Sequence, residues 1–168
     1  KEIEKALEDA SPTPKKWSRK DGPKYHRFHR KRISPGTVRQ IEFDLMDVDI
    51  GESWPIPIPV VQGARPGPQV TGLGAPHGNE LVGPLALTYL CGPSFLGEDR
   101  AIDPAAMAGT LRIVPVVNLP GYRRQSRYMA DGRDLNMSFP GKPDSKPTSR
   151  VAPRLWNEIL CGRETGVH

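Results

Sequence analysis

His77 and Glu80 stand three residues apart in Pro76-His77-Gly78-Asn79-Glu80. An imidazole and a carboxylate converging from one turn can serve as two ligands of a metal ion, and a His₂Glu set with water in the fourth position is a known catalytic zinc arrangement. The His-x-x-Glu pattern is short enough to arise by chance, so its surroundings have to decide. The plain alternative makes His77 a turn residue and Glu80 an acid favoured near a helix N-terminus. Farther along, Arg123, Arg124, Arg127, Asp131, Arg133, Asp134 and Asn136 crowd a stretch without continuous periodicity. A long irregular segment in a compact domain is uncommon unless it is functional. Other groups carry less. His26 and His29 are also three apart, but their neighbourhood is rich in cations and disfavours a metal ion, so both read as exposed. Gly72, Gly74 and Gly78 fit neither a Walker A nor a dinucleotide fingerprint. Cys91 and Cys161 have no partner motif nearby and read as small buried apolar residues rather than nucleophiles.

The elements that position these groups follow from hydrophobic spacing. Ile41, Phe43 and Leu45 alternate with Glu42 and Asp44, as one face of a half-buried strand requires, so a sheet begins at about Val38. Residues 55–61 are apolar but interrupted by Pro55, Pro57 and Pro59, whose missing N–H groups suit an edge strand. Residues 69–75 form a short apolar strand that runs into the His77–Glu80 turn, and Leu81–Leu90 forms the helix after it. A second buried strand is predicted at Leu111–Val117, then the long loop Asn118–Lys146. Val151, Leu155, Trp156 and Ile159 fall at helical spacing in a last helix over Ser149–Leu160. Strands alternating with helices predict an α/β layer architecture, whose ligand sites lie beyond the carboxyl ends of the strands.

The 168 residues suffice for one domain core, and 17 Gly plus 19 Pro indicate many turns without reaching the composition of a disordered tail. No stretch approaches the roughly 20 apolar residues of a membrane helix, and the charged start at Lys1 lacks the apolar run of a signal peptide. The two cysteines have no CxxC spacing, so neither a zinc knuckle nor a disulfide framework is indicated. A soluble, cytoplasmic protein without a membrane partner is expected. The net charge of +5 is uneven: residues 1–40 hold 12 Lys/Arg against 5 Asp/Glu, and residues 41–168 hold 12 against 14. We therefore divide the chain into a basic leader, residues 1–37, with a short helix in KEIEKALEDA and a linker, and an α/β domain, residues 38–168. Basic residues interleaved with Trp17, Tyr25 and Phe28 could hold phosphates and stack bases. Charged leaders are more often simply solvated, so nucleic acid is not the expected partner.

Read together, IPIPVVQGARPGPQVTGLGAPHGNELVGPLAL, LRIVPVVNLPGYRRQSRY and DGRDLNMSFPG resemble, in order and spacing, the N-terminal half of the succinylglutamate desuccinylase and aspartoacylase family, relatives of the zinc carboxypeptidases. The resemblance covers about residues 50–160 and excludes the leader. It implies a mixed sheet flanked by helices, of zinc carboxypeptidase-like fold, truncated at its C-terminus. The implied activity is zinc-dependent hydrolysis of an amide bond in an N-acylated amino acid or related small anionic molecule. His77 and Glu80 become ligands of one Zn2+ ion, and Arg127 the catalytic group that polarises the scissile carbonyl and holds the oxyanion. Asn136 becomes a substrate-carboxylate contact.

Three departures bear on this resemblance. Met137 stands where the family usually has an arginine that clamps a substrate carboxylate, and a thioether cannot replace a guanidinium. Arg133 is the nearby candidate for that charge, with Arg123 and Arg124 as a basic rim. The third zinc ligand is expected in an Asp-Leu-His strand that is absent; His168, after Gly166-Val167, is the only later histidine. The general-base glutamate and a β-rich domain are expected beyond residue 168, so the chain alone is expected to hydrolyse little. Apolar surface left without its covering partner favours association, including homo-oligomers. Two other functions stay open: a carboxypeptidase-like peptidase, and a non-catalytic truncated or split-gene product whose basic leader is an interaction arm.

Overall fold

In the computed structural model, residues 26–47, 53–91, 101–141 and 146–161 are described. A two-stranded hairpin, β1 (His26–Phe28) and β2 (Lys31–Ile33), precedes a four-stranded sheet. The sheet strands are β3 (Thr37–Asp47), β4 (Ser53–Gln62), β5 (Arg65–Leu73) and β6 (Ala108–Val114), in the order β3-β4-β6-β5. Pairing is antiparallel for β3 with β4 and for β4 with β6, and parallel for β5 with β6. The sheet is therefore mixed. Helix α1 (Val82–Cys91) makes the crossover between the parallel pair, and β6 is followed by the short α2 (Leu119–Arg123). A 3-10 turn (Asn136–Ser138) and α3 (Pro147–Arg154) complete the order, with α3 continuing as a π segment over Leu155–Leu160. Pro153 lies inside α3 and has no N–H to bond four residues back, so the regular ladder gives way there to wider turns.

Period-two alternation sorts the side chains onto two faces. Ile41, Phe43 and Leu45 of β3, Ile56, Ile58 and Val60 of β4 and Val114 of β6 form one core with Val151, Ala152, Leu155 and Ile159 of the last helix. Val61, Ile113 and Cys91 form a second core on the opposite face, where Leu87 and Leu90 of α1 cover the sheet. Each fully buried aliphatic or aromatic side chain contributes about 1.5–3 kcal/mol. Burial also pushes the Cys91 thiol up to about 11. Among the described residues no helix is long and apolar enough to cross a membrane.

The α/β expectation is met, with a mixed sheet and helices on both faces, and four local readings change. The proline-rich strand is not at the edge: β4 lies between β3 and β6. Pro55, Pro57 and Pro59 are paired with Asp44, Glu42 and Gln40 of β3, while β6 pairs only with Val60–Gln62. Alternate spacing puts all three missing donors on one side of the strand, so Ile56, Ile58 and Val60 remain free to bond β3. Trp156 is exposed although Val151, Leu155 and Ile159 are buried, because the wider π turns rotate it off the apolar stripe. Cys161 is exposed rather than buried.

His26 is the fourth. It is half-buried, and its Nε2 accepts a 3.2 Å hydrogen bond from Arg112. Phe28 and Ile33 of the same hairpin are buried in the first core, so residues from the basic stretch pack against the sheet. Arg112 is itself buried, donating to the Ile159 carbonyl (3.0 Å) and to Gln69 Oε1 (2.8 Å) and lying over the Phe28 ring at 4.7 Å. Desolvation, and secondarily the Arg112 charge, lower the pKa of His26. The unfolded state then takes up the proton first, so this contribution to stability is whole above about pH 6.5 and is lost as pH falls below it. Thermal melts should show that decline. In His26→Gln, which can still accept from Arg112 but does not titrate, that part of it should vanish. The helix expected over residues 1–10, Trp17 and Tyr25 lie outside the described residues.

Candidate active site

The parallel strands β5 and β6 end side by side, and backbone bonds stitch the loops that leave them: Gly74 N–H to the Val114 carbonyl (2.8 Å), Val117 N–H to Gly74 (3.0 Å) and Asn118 N–H to Ala75 (3.2 Å). The first loop carries His77 and Glu80 in a tight turn closed by Glu80 N–H to the His77 carbonyl (3.1 Å). From the second come α2, Arg127 and Asp134. Side chains 57 positions apart in the sequence, His77 and Asp134, thus meet at the carboxyl end of the sheet, where α/β proteins place ligands.

His77 is 7% exposed and lies between two carboxylates. Its Nδ1 is 2.7 Å from Glu80 Oε1, and its Nε2 is 3.1 Å and 3.2 Å from the two oxygens of Asp134. A neutral imidazole has one N–H and can donate to only one of them. Arg127 joins both acids, with Nη2 donating to Asp134 Oδ2 (3.3 Å) and Nη1 lying 3.7 Å from Glu80 Oε1. Glu80 and Arg127 remain about half exposed, at 56% and 47%, so the cluster opens to solvent on their side. Asp134 also accepts from the Asn136 N–H at 2.9 Å. Partial burial raises its pKa, but the hydrogen bonds from His77 and Asn136 and the charges of His77 and Arg127 outweigh this and hold the carboxyl below its ordinary value.

The donor set suits one half of a zinc site. With Nε2–H held by Asp134, Nδ1 turns its lone pair toward Glu80, and an ion there would be held by that lone pair and a Glu80 oxygen. An imidazole ligand whose far nitrogen donates to a carboxylate is a common supporting arrangement in metal sites. Among the described residues no three His, Cys, Asp or Glu side chains are grouped to hold a metal ion. His168, the third candidate, lies outside the described residues.

Of the remaining candidates, Asn136 is exposed in the 3-10 turn directly after Asp134, and Met137 beside it is 81% exposed. Arg133 donates to Ser149 Oγ of α3 at 2.6 Å, so part of its guanidinium is engaged with the helix. Arg123 and Arg124 are exposed at the end of α2. Two residues were not singled out by sequence. Asp134 stood in the Asp134-Leu135-Asn136 tripeptide, but its role as partner of His77 depends on a contact across 57 positions. Asn118 is fully buried and caps α2 through Oδ1, which accepts the Gly121 N–H at 2.9 Å. An Asn followed two positions later by Pro is a legible helix start, and could have been found.

Residues 66–159 match the model of the succinylglutamate desuccinylase/aspartoacylase catalytic domain. A curated relative, the N-alpha-acetyl-L-2,4-diaminobutyric acid deacetylase of Halomonas elongata, is 37% identical over 98 residues, which are 58% of this chain and 26% of the relative. The product-bound ectoine utilization protein EutE (DoeB) of Ruegeria pomeroyi superposes with a TM-score of 0.60 at 30% identity, covering 75% of this chain and 37% of that one. An aspartoacylase family protein of Mesorhizobium loti gives 0.62 at 27% identity, covering 77% and 38%. A succinylglutamate desuccinylase/aspartoacylase of Rhodobacter sphaeroides gives 0.63 at 28%, covering 75% and 37%. The chain therefore spans about a quarter of the curated relative and under two-fifths of these solved chains.

Proposed function

Because the chain belongs to the succinylglutamate desuccinylase/aspartoacylase family, we propose that it carries the N-terminal part of the active site of a zinc-dependent hydrolase. Its substrate would be the amide bond of an N-acylated amino acid or a related small molecule. The observation that carries this reading is the convergence of His77 Nδ1, Glu80 and Arg127 on one solvent-facing point, with Asp134 behind the imidazole. His77 and Glu80 would hold the zinc ion, which when bound supplies Lewis acidity to a carbonyl and a more acidic water. His168, or a group from outside these residues, would complete the ligand set.

Each of the chain's own groups has a defined task. Asp134 fixes the His77 ring and its tautomer, leaving the Nδ1 lone pair available to a metal ion on the Glu80 side. Arg127 presents a half-exposed guanidinium beside the donor pair, placed to receive the charge that develops on a carbonyl oxygen. Asn136 would contact the substrate carboxylate, and Arg133 would add positive charge nearby. The acetyl-diaminobutyrate activity named for the Halomonas elongata relative supports an N-acetyl amino acid as the first substrate to try. Met137 in place of a carboxylate clamp supports a substrate with less negative charge than a dicarboxylate.

The test is calorimetric. Zinc is titrated into the full chain, and N-acetyl amino acids and dipeptides are then added in turn. The expected result is zinc uptake followed by binding of the N-acetyl amino acid, weakened about tenfold in Arg127→Ala through loss of a charged hydrogen bond. Binding of dipeptides alone would favour a carboxypeptidase-like peptidase. Absence of zinc uptake would overturn the zinc assignment.

A further inference from the structure

We propose that Asn118 is a positioning residue that fixes the distance between the His77–Glu80 donor pair and the Arg127 guanidinium. It is 0% exposed, and its side chain touches all three segments that build the site. Nδ2 donates to the carbonyl of Pro76, the residue before His77, at 3.2 Å. It also donates to the carbonyl of Arg127 at 3.4 Å. Oδ1 accepts the Gly121 N–H, and the Asn118 carbonyl accepts the Tyr122 N–H at 2.9 Å, which fixes the turn beneath both loops. That turn is in direct contact with the donor loop, since a Cβ on Gly78 would lie 2.0 Å from the Gly121 carbonyl carbon.

The chemistry of the side chain suits this task. A primary amide offers two donors and an acceptor on one rigid plane, so one group ties two carbonyls and one N–H at fixed separations. Aspartate keeps the acceptor and the volume but turns both carbonyl contacts repulsive. A buried group with every contact local to the site rigidifies that site in proportion to how fully it is satisfied. Asn118 contacts neither a metal nor a substrate. It acts through the backbone at Pro76 and Arg127.

The experiment compares the full chain with Asn118→Asp and with Thr110→Val. The second variant breaks a buried 2.7 Å hydrogen bond from Thr110 Oγ1 to Gln62, a pair within the sheet. Melting temperature is read alongside the nitrogen-resolved NMR signals of the His77 ring and the Arg127 guanidinium in metal-free protein at fixed pH. Both variants should melt earlier, but only Asn118→Asp should displace the two side-chain signals. If Asn118→Asp does not fold, Gly121→Ala serves instead, since its Cβ would meet the Asn118 amide at 2.6–2.8 Å and push it aside without removing it. Unmoved His77 and Arg127 signals in the folded variant, or equal displacement in Thr110→Val, would overturn the positioning role. A second arm rests on the proposed function: zinc affinity should fall about tenfold in Asn118→Asp and stay constant in Thr110→Val. Absence of zinc binding in the unaltered chain would count against the zinc assignment alone, because the metal-free signals decide the role of Asn118 independently.

Discussion

Zinc affinity is expected to drop by about 100-fold or more in His77→Ala and in Glu80→Ala, each a loss on the order of 3 kcal/mol. The two donors lie side by side at 2.7 Å, and among the described residues no third His, Cys, Asp or Glu joins them as a metal-holding group. A site with so few protein donors has little redundancy, so neither removal can be absorbed by the rest of the set. Asp134→Asn should be milder, about 10–100-fold, because it alters the support of the imidazole and leaves the ligand atom in place. His26→Ala should change nothing, since that ring accepts from Arg112 in the hairpin contact rather than facing the site. Competition with a chromophoric chelator measures all four. Equal affinity in His77→Ala and the unaltered chain would end the zinc reading.

Gly78→Ala is expected to be the most damaging single methyl group in the site, at about 3 kcal/mol or more of stability. A Cβ there would lie 2.0 Å from the Gly121 carbonyl carbon and 2.2 Å from the Tyr122 nitrogen. Both are backbone atoms of a capped helical turn and cannot swing aside as a side chain can. The strain has to be relieved by separating the donor loop from α2, which also parts His77 from Asp134 and Arg127. A denaturant melt should therefore show the stability loss, and the zinc titration should show weaker binding in the same variant. Full retention of both would mean that the two loops are not in contact in solution.

The sheet was legible because its signals are local. The alternation of Ile41, Phe43 and Leu45 placed β3, and all three are buried as their period requires. His77, Glu80 and Arg127 were legible through motif resemblance, and the structure brings them within ion-pair distance. What escaped depends on contacts across long stretches of chain. The packing of the β1–β2 hairpin hangs on Phe28 and Ile33, two apolar residues among many charged ones, with no periodicity to reveal them. Asp134 acquires its role only when β5 and β6 become neighbours. The interior position of β4 escaped for another reason: three prolines in one strand signal an open side, but not that a neighbour can pair past them at Val60–Gln62.

Those prolines have a consequence before the fold exists. Ile56, Ile58, Val60 and Val61 make an apolar, uncharged, β-prone segment, the composition from which intermolecular fibrillar stacking starts in newly made or heat-opened chains. Stacking of that kind needs a donor from every residue along the strand, and here every second one in residues 55–59 is missing. An incoming identical segment would leave carbonyls without partners at each repeat. The same prolines that leave Ile56, Ile58 and Val60 to bond β3 thus act as gatekeepers against self-association of this apolar strand.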